Sequence, residues 1–219
     1  MAALAPPPPL ISVLGVLPRR DMIAIVGARN ASALARKFAQ LLARELGEAG
    51  LVVVSGLARG IDSAAHEAAL EHGTVAVVAG GVDVIYPPQN EILYRAIVEQ
   101  GGGDFGDAVR GRAPGAPLSP PQPFDLGSLT RRGVVEAAER SGSLITANYA
   151  LEQGREIFAV PGSPLDPRAK GANRLIREGA TLIESADDVL SVLGPILGRK
   201  FSEPETAPPA ALQIELRLE

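Results

Sequence analysis

The segment from Leu51 to Leu70, which reads LVVVSGLARGIDSAAHEAAL, constrains the fold more than any other part of this 219-residue chain. It predicts a buried strand at residues 51–54, a glycine-bracketed turn at residues 55–60 and a helix that begins near Asp62. Such a turn leaves backbone N–H groups at a helix N-terminus, where the helix dipole favours a phosphate. Arg59 adds a guanidinium that can bind a phosphate through two hydrogen bonds. The sequence therefore predicts a turn that holds an anionic ligand.

Short apolar runs alternate with helical patterns along the rest of the chain. Further strands are predicted at residues 10–14, 22–26, 74–79, 156–160 and 181–183, and helices at residues 33–48, 91–100, 143–153, 171–178 and 186–193. Continuously apolar strands that alternate with helices indicate a parallel sheet covered on both faces. We therefore expect a doubly wound α/β fold, with a mostly parallel sheet in a single domain.

Changes of composition mark the expected limits of this domain. Residues 1–20 are a proline-rich segment with the first short strand, residues 21–197 carry the α/β pattern, and residues 198–219 read as a flexible tail or linker. Within the domain, residues 101–132 are rich in glycine, proline and arginine and have no periodicity. We expect irregular structure there, although a structureless loop of that length is unusual in a compact domain.

The composition excludes several classes of function. The chain has no cysteine and 2 histidines, so disulfides and thiolate metal sites are excluded, and no metal or other cofactor is expected. The net charge of −4 argues against a diffuse basic surface, so any contact with nucleic acid must be local. No apolar run is long enough to cross a bilayer. We expect a soluble cytoplasmic protein without a membrane partner.

Ligands of parallel α/β sheets bind at the carboxyl ends of the strands, and glycine-containing turns occur at four such places in this chain. The candidate turns comprise Gly27 and Arg29; Ser55, Gly56, Arg59 and Gly60; Gly80 and Gly81; and Ser141, Gly142 and Ser143, with Thr146 one helical turn later. Glycine at a single turn often serves backbone geometry alone, so the case for a ligand rests on the four turns together.

Polar side chains beside these turns are further candidates. Asp62 is expected to cap its helix and, at most, to orient the arginine of the turn. His66 follows one helical turn later and is either a second residue of the same edge or an ordinary capping or core histidine. Lys170 and Asn173 flank Gly171 at the start of a helix, an arrangement that suits a phosphate.

Five segments of the chain together form a specific pattern. They read IAIVGARNAS, VVVSGLARGIDSAAHEAAL, AVVAGGVDVIYPPQN, EAAERSGSLITANYALEQGREIFAVPGSP and KGANRLIREGATLI. In this order, across about residues 23–190, they resemble the DNA processing protein A family, also called DprA or Smf. The resemblance implies a Rossmann-like domain that binds and protects single-stranded DNA and helps to load the RecA recombinase in natural transformation. It also implies a homodimer and no enzymatic activity.

On this resemblance, the candidate residues form two walls of a pocket for DNA phosphates. One wall comprises Gly27, Arg29, Ser55, Gly56, Arg59 and Gly60, beside Asp62 and His66. The other comprises Ser141, Gly142, Ser143 and Thr146, with Lys170, Gly171 and Asn173 at the edge.

The chain departs from the family's pattern between residues 101 and 132. The family carries there an acidic-proline turn and a loop of the form FPxRNR, which supplies the main basic contacts to DNA. The segment here reads GDFGDAVRGRAPGAPLSPPQPFDLGSLTRRG, yet codons exist for it whose reading one nucleotide later gives ISEMPFGAAPRAPHFPRRNRLISGLSRGV. We hypothesise a compensated frameshift that begins near Gly102 or Gly103 and ends near Arg132 or Gly133.

The sequence as it stands has a physical consequence. It lacks the clustered arginines of that loop, and we expect Arg131 and Arg132 to lie on an unstructured loop, followed by a strand shortened to residues 134–135. Loss of several phosphate contacts lowers affinity for DNA by orders of magnitude at moderate salt. We therefore expect weakened DNA binding.

One alternative is a remnant that only dimerises and does not bind DNA. The other is a nucleotide-processing enzyme of the lysine-decarboxylase-like, phosphoribohydrolase type, which shares this sheet and its glycine-rich edge. That family depends on a PGGxGTxxE motif with a catalytic glutamate, whereas the corresponding region here reads SGSLITANYALEQ. No catalytic triad, carboxylate pair, GxGxxG motif or P-loop lysine is readable either. These differences disfavour the enzyme, which an assay of nucleoside monophosphate hydrolysis would separate from a DNA-binding protein.

Overall fold

The computed structural model describes residues 11–16, 18–78, 82, 85–100, 103–107, 131–135, 144, 147 and 155–201. The strands are β1 (Ile11–Gly15), β2 (Met22–Gly27), β3 (Val52–Ser55), β4 (Thr74–Val78), β5 (Gly103–Asp107), β6 (Arg131–Val135), β7 (Ile157–Ala159) and β8 (Thr181–Leu182). The helices are α1 (Ala33–Glu48), α2 (Ile61–Ala69), α3 (Glu91–Glu99), α4 (Lys170–Arg177) and α5 (Ala186–Leu197), and a 3-10 turn, Pro88–Asn90, precedes α3. None of the helices in these ranges is long and apolar enough to cross a bilayer.

The described strands form one sheet in the order β1-β5-β4-β3-β2-β6-β7-β8. All neighbouring strands run parallel except β1, which pairs antiparallel with β5. From β2, the chain adds β3, β4 and β5 in turn on one side of the sheet. It then returns to the other side of β2 and adds β6, β7 and β8. The expected doubly wound, mostly parallel α/β sheet is confirmed, and its topological switch point lies between β2 and β6.

Helices cover both faces of the sheet, and β2 shows this most directly. Ile23 and Ile25 are buried on one face in a cluster with residues of α1, α2 and α5. Ala24 and Val26 are buried on the opposite face with Leu175 of α4. Burial on both faces explains why the strands read as continuous apolar runs rather than as alternating ones.

Local side-chain hydrogen bonds fix the ends of the helices. Ser32 accepts a hydrogen bond from the backbone N–H of Ala35 at 3.0 Å and begins α1. Ser185 and Asp188 form a reciprocal capping box at the start of α5, and the helix ends at Gly198, whose φ is 63°. Hydrogen bonds from the backbone N–H groups of Glu184 and Ser185 help to hold the pKa of Asp188 below its usual value. These signals lie within a few residues of each helix end, so the sequence shows them.

The prediction of irregular structure throughout residues 101–132 is wrong at both ends of that segment. The backbone of β5 pairs with β4 on one side and with β1 on the other. Its sequence, GDFGD, contains two glycines and two aspartates, which are depleted in strands because they pack poorly on a pleated surface. Pairing with two neighbours fixes the strand here, and a sequence pattern does not show such pairing.

The strand at the other end of this segment is also longer than expected. It was predicted to be shortened to residues 134–135, but β6 has five residues and pairs along β2 from Ile23–Arg131 to Gly27–Val135. Arg131 and Arg132 therefore lie in the middle of the sheet rather than on an unstructured loop. Backbone pairing with β2 again overrides the weak local pattern.

The packing of β7 can be tested at Phe158, which is the largest fully buried side chain in the described part of the chain. It lies in the same cluster as Ile23 and Val189. We expect Phe158→Ala to lower the free energy of unfolding in urea by about 3–5 kcal/mol, since it removes apolar contacts and leaves a cavity. Ile92→Ala is the control, because Ile92 is 84% exposed and its loss should cost less than about 0.5 kcal/mol. Equal costs for the two variants would contradict the packing.

Candidate functional site

The glycine turns after β2 and β3 lie side by side next to the switch point and are joined by a backbone hydrogen bond. The backbone N–H of Ile61 donates to the carbonyl oxygen of Ala28 at 3.2 Å. Gly60 has a φ of +86°, and a Cβ built on it would clash with that carbonyl oxygen and lie 2.7 Å from the carbonyl oxygen of Arg29. Only glycine permits this approach without strain. The two turns that carry Arg29 and Arg59 therefore share one backbone contact.

Asp62 occupies a different role from the one predicted. The N-cap residue of α2 is Gly60, which makes no side-chain hydrogen bond, so the expectation that Asp62 caps the helix is wrong. Its Oδ2 instead accepts hydrogen bonds from the backbone N–H groups of Gly56 at 3.2 Å and Ala58 at 3.3 Å. Two of the N–H groups in the turn thus point at a carboxylate of the protein itself. The turn already holds an internal anion.

Burial governs the ionisation of this carboxylate. Desolvation raises the pKa of Asp62 from 3.8 to about 6, while the backbone N–H groups of Ala58, Gly56 and Gly27 and the charge of Arg29 act in the opposite direction. The group is therefore mostly ionised at pH 7, at a cost in stability that the hydrogen bonds to the turn reduce.

Asn90 holds the same turn from the other side, and the sequence reasoning missed it. Its Nδ2 donates to the carbonyl oxygens of Leu57 at 2.8 Å and Ala58 at 3.3 Å. Leu57 has a φ of +57°, an unusual conformation for a residue with a branched side chain. Asn90 thus fixes the carbonyl groups of the turn, as Asp62 fixes its N–H groups. The sequence did hold one signal for Asn90, because this residue ends the segment AVVAGGVDVIYPPQN, which carries part of the family resemblance.

His66 is fully buried beneath the turn rather than exposed at its edge. Its Nδ1 lies 2.7 Å from the hydroxyl oxygen of Thr74, which itself donates to the carbonyl oxygen of Val53 at 2.8 Å. Because the hydroxyl has one proton, Nδ1 must be the donor to Thr74. Burial lowers the pKa of His66 to about 4, although the backbone of Ser55 opposes the shift, and Nε2 has no hydrogen-bond partner within the described ranges. At neutral pH His66 is an uncharged core residue.

Among the remaining polar side chains of the two turns are one that is hydrogen-bonded inside the protein and two exposed arginines. Ser55 is buried, and its hydroxyl donates to the carbonyl oxygen of Ile25 at 2.6 Å, so it ties β3 to β2. Arg29 and Arg59 are exposed. Within the described part of the chain, neither guanidinium lies within 4 Å of a carboxylate. These two side chains are charged groups of the turns that an external anion can reach.

The predicted residues near α4 lie on the same edge of the sheet, beyond β6. Asn173 accepts a hydrogen bond from the backbone N–H of Gly162 at 3.0 Å and donates to its carbonyl oxygen at 2.8 Å. Asn173 thus holds the loop that follows β7. Lys170 is exposed and Gly171 is buried. Four residues of the predicted second wall, Ser141, Gly142, Ser143 and Thr146, lie outside the described residues, as do Gly80 and Gly81.

Comparison with known proteins identifies similar sequences and structures. The sequence profile described as DNA recombination-mediator protein A matches residues 1–116 and 126–194. DNA processing protein DprA of Streptococcus pneumoniae is 43% identical over 175 residues, which are 77% of this chain and 60% of that protein. Its crystal structure has a TM-score of 0.73 at 40% identity and covers 79% of this chain and 62% of that one.

A second solved structure is similar over more of its length. It is DNA processing protein A of Helicobacter pylori, described for its single-stranded DNA binding mode, with a TM-score of 0.78 at 26% identity over 88% of this chain and 90% of that one. The present chain spans about half to two thirds of the length of the first curated relatives that it matches. The residues between the two matched segments, 117–125, fall inside the segment that departs from the family's pattern.

Gly60→Ala tests the contact between the two turns. We expect it to lower the free energy of unfolding by about 3–5 kcal/mol, from left-handed strain together with overpacking against Ala28 and Arg29. Gly179→Ala is the matched control, because Gly179 has a φ of +106° with nothing within 4 Å of the added Cβ. It should show the backbone strain alone, about 1–2 kcal/mol. Equal losses in urea denaturation would contradict the contact.

Asp62 and His66 should give opposite pH dependences of stability. The raised pKa of Asp62, about 6 against 3.8, removes about 3 kcal/mol of stability as pH rises through that interval. The lowered pKa of His66, about 4 against 6.5, adds about 3 kcal/mol over nearly the same interval. In the parent protein these two contributions to the free energy of unfolding nearly cancel. Replacing either residue alone should therefore expose the pH dependence that the other residue causes.

Chemical denaturation between about pH 4 and pH 6.5 measures this balance. The free energy of unfolding of Asp62→Asn, relative to the parent, should rise by about 3 kcal/mol across the interval, and that of His66→Gln should fall by a similar amount. Groups outside the pair contribute equally to parent and variant. A difference between parent and Asp62→Asn that does not change with pH would contradict the buried, raised-pKa carboxylate.

Proposed function

The chain belongs to the DNA recombination-mediator protein A family, and from this premise we propose that it binds single-stranded DNA at the carboxyl edge of its sheet without catalysing a reaction. One observation carries the proposal. Arg29 and Arg59 are exposed, and they lie on adjacent turns that are hydrogen-bonded to each other beside the switch point. Two exposed guanidiniums, carried on turns whose backbones are held together, suit successive phosphates of a nucleic-acid strand. The binding mode for which the Helicobacter pylori relative is described supports the same ligand class.

The composition favours phosphate contacts over recognition of bases. Aromatic residues are 4% of the chain, so few side chains are present on which bases could stack. Guanidinium–phosphate contacts carry no sequence information and are weakened by salt. We therefore expect binding that is nearly independent of sequence and strongly dependent on ionic strength.

The internal position of the Asp62 carboxylate disfavours the nucleotide-processing alternative. An enzyme of that kind cradles a phosphate with outward-facing backbone N–H groups of a glycine turn. Here the N–H groups of Gly56 and Ala58 point inward at Asp62. Anion binding at this turn then depends on side chains, as suits an extended strand. We expect no hydrolysis of nucleoside monophosphates above a blank reaction.

The wider role follows from family membership and is part of the proposal. We propose that the protein acts in the cytoplasm as a homodimer, protects incoming single-stranded DNA and helps to load the RecA recombinase during natural transformation. The set of DNA-binding residues predicted from the sequence is Gly27, Arg29, Ser55, Gly56, Arg59, Gly60, Asp62, His66, Ser141, Gly142, Ser143, Thr146, Lys170, Gly171 and Asn173. Its exposed charged members, Arg29, Arg59 and Lys170, are proposed to contact phosphates. Within it, the buried Ser55, Asp62 and His66 support the turns from inside.

The position of β5 supports the frameshift hypothesis. Reading one nucleotide later replaces the DFGD of Asp104–Asp107, four of the five residues of β5, with ISEM, which has no glycine and contains a β-branched residue. Sequencing of the coding DNA tests the hypothesis directly. If no shifted frame encodes an FPRRNR-like loop, the hypothesis fails, and the proposal of DNA binding stands on Arg29 and Arg59 alone.

Replacing each of the two arginines by an uncharged residue tests the proposed site. We expect Arg29→Gln and Arg59→Gln each to lower affinity for an oligothymidylate by about fivefold at 0.1 M salt, and to reduce the slope of log K against log salt by about 0.7. Fluorescence anisotropy titrations over a range of salt concentrations measure both quantities.

Arg44→Gln is the matched control for charge. Arg44 lies on α1 and forms a largely exposed ion pair with Glu48 at 3.9 Å, so its loss should leave the salt slope unchanged. Unchanged slopes for Arg29→Gln and Arg59→Gln would reject the site. Absence of any binding by the parent chain would reject the function.

A further inference from the structure

A polar groove of about 320 Å³ runs between the first two turns of α1 and those of α2. Its lining includes Arg36, Lys37 and Gln40 from α1, and Gly60, Ser63 and Glu67 from α2. Gly60 directly follows Arg59, so one end of the groove is the turn that carries the proposed DNA site. The groove therefore continues that site over the outer surface of the two helices.

The two cations of this groove differ from three arginines on the surfaces of α1, α3 and α4. Arg44, Arg95 and Arg174 each have a glutamate four residues away and form an ion pair with it. Arg36 has Gln40 at that spacing, and Lys37 has Leu41. Both cations are exposed, and within the described part of the chain neither has a carboxylate within 4 Å. Their charge is available to a ligand.

We propose that this groove is a second phosphate subsite, into which a single strand continues after it leaves Arg29 and Arg59. The inference rests on the proposed function, because the strand must first occupy the edge of the sheet. Each nucleotide brings one negative charge, so Arg36 and Lys37 can each neutralise one phosphate. The amide of Gln40 and the hydroxyl of Ser63 add neutral donors along the groove.

Glu67 sets the limit of the subsite. It lies in the second turn of α2, one helical turn beyond Ser63, and its exposed carboxylate repels a phosphate at that end. The continuous path from Arg59 favours a nucleic-acid strand as the occupant. An acidic segment of another protein would bind Arg36 and Lys37 without any dependence on the length of bound DNA.

Oligonucleotide length separates the two sites. The double variant Arg36→Gln/Lys37→Gln should bind an oligothymidylate of about six nucleotides as the parent does. For an oligonucleotide of about twenty nucleotides, we expect its affinity to fall roughly 20-fold at 0.1 M salt and its salt slope to fall by about 1.4. Arg44→Gln/Lys200→Gln, which removes the same net charge away from the groove, is the matched control and should change neither ligand's binding.

Glu67→Gln provides a second measurement that removes no favourable contact. It should strengthen binding of the long oligonucleotide by about two- to fivefold and leave the short one unchanged, because it removes one repulsive charge. This variant keeps the proposal testable if the double variant fails to fold.

The outcomes distinguish the subsite from the proposed function. Unchanged binding of the long oligonucleotide by Arg36→Gln/Lys37→Gln, with losses for Arg29→Gln and Arg59→Gln, would overturn the subsite and leave the function intact. Equal losses for short and long oligonucleotides would also overturn it, since the groove would then not extend the path. If the parent bound neither oligonucleotide, the proposed function would fail and the subsite with it.

Discussion

The buried carboxylate of Asp62 organises the turn on which the proposed DNA site depends. It binds the N–H groups of Gly56 and Ala58, while the carboxamide of Asn90 binds the carbonyl groups of Leu57 and Ala58. The backbone of the turn is thus held through both its donors and its acceptors. A buried charge reduces stability unless hydrogen bonds compensate it. Here those hydrogen bonds also fix the conformation from which the next residue, Arg59, reaches solvent.

Local signals allowed much of the architecture to be predicted from the sequence. The helix predicted at residues 33–48 is α1 with the same bounds, because Ser32 caps it and its apolar residues repeat on one face. The direction of the N–H groups in the turn after β3 could not be predicted. It depends on a carboxylate that folds back over the turn and on Asn90, more than 30 residues along the chain. The sequence identified the residue types of the site but not which groups face solvent.

Strands β5 and β6 show a second limit of sequence reasoning. A glycine- and aspartate-rich run such as Gly103–Asp107 carries no apolar alternation, and its regularity comes from backbone pairing with β4 and β1. His66 shows the same limit for a side chain. Its spacing from Asp62 is compatible with an exposed edge or with the core, and the hydrogen bond to Thr74 of β4 places it in the core. In each case a partner distant in sequence decides the outcome.

The close approach of Gly60 to Ala28 has a consequence for how a ligand is selected. Because the two turns touch through their backbones, the separation between the stems of Arg29 and Arg59 is set by the fold rather than by the ligand. Little backbone ordering then accompanies binding, which favours affinity. A held backbone separation favours a ligand whose charges repeat along a strand, whatever groups the strand carries between them.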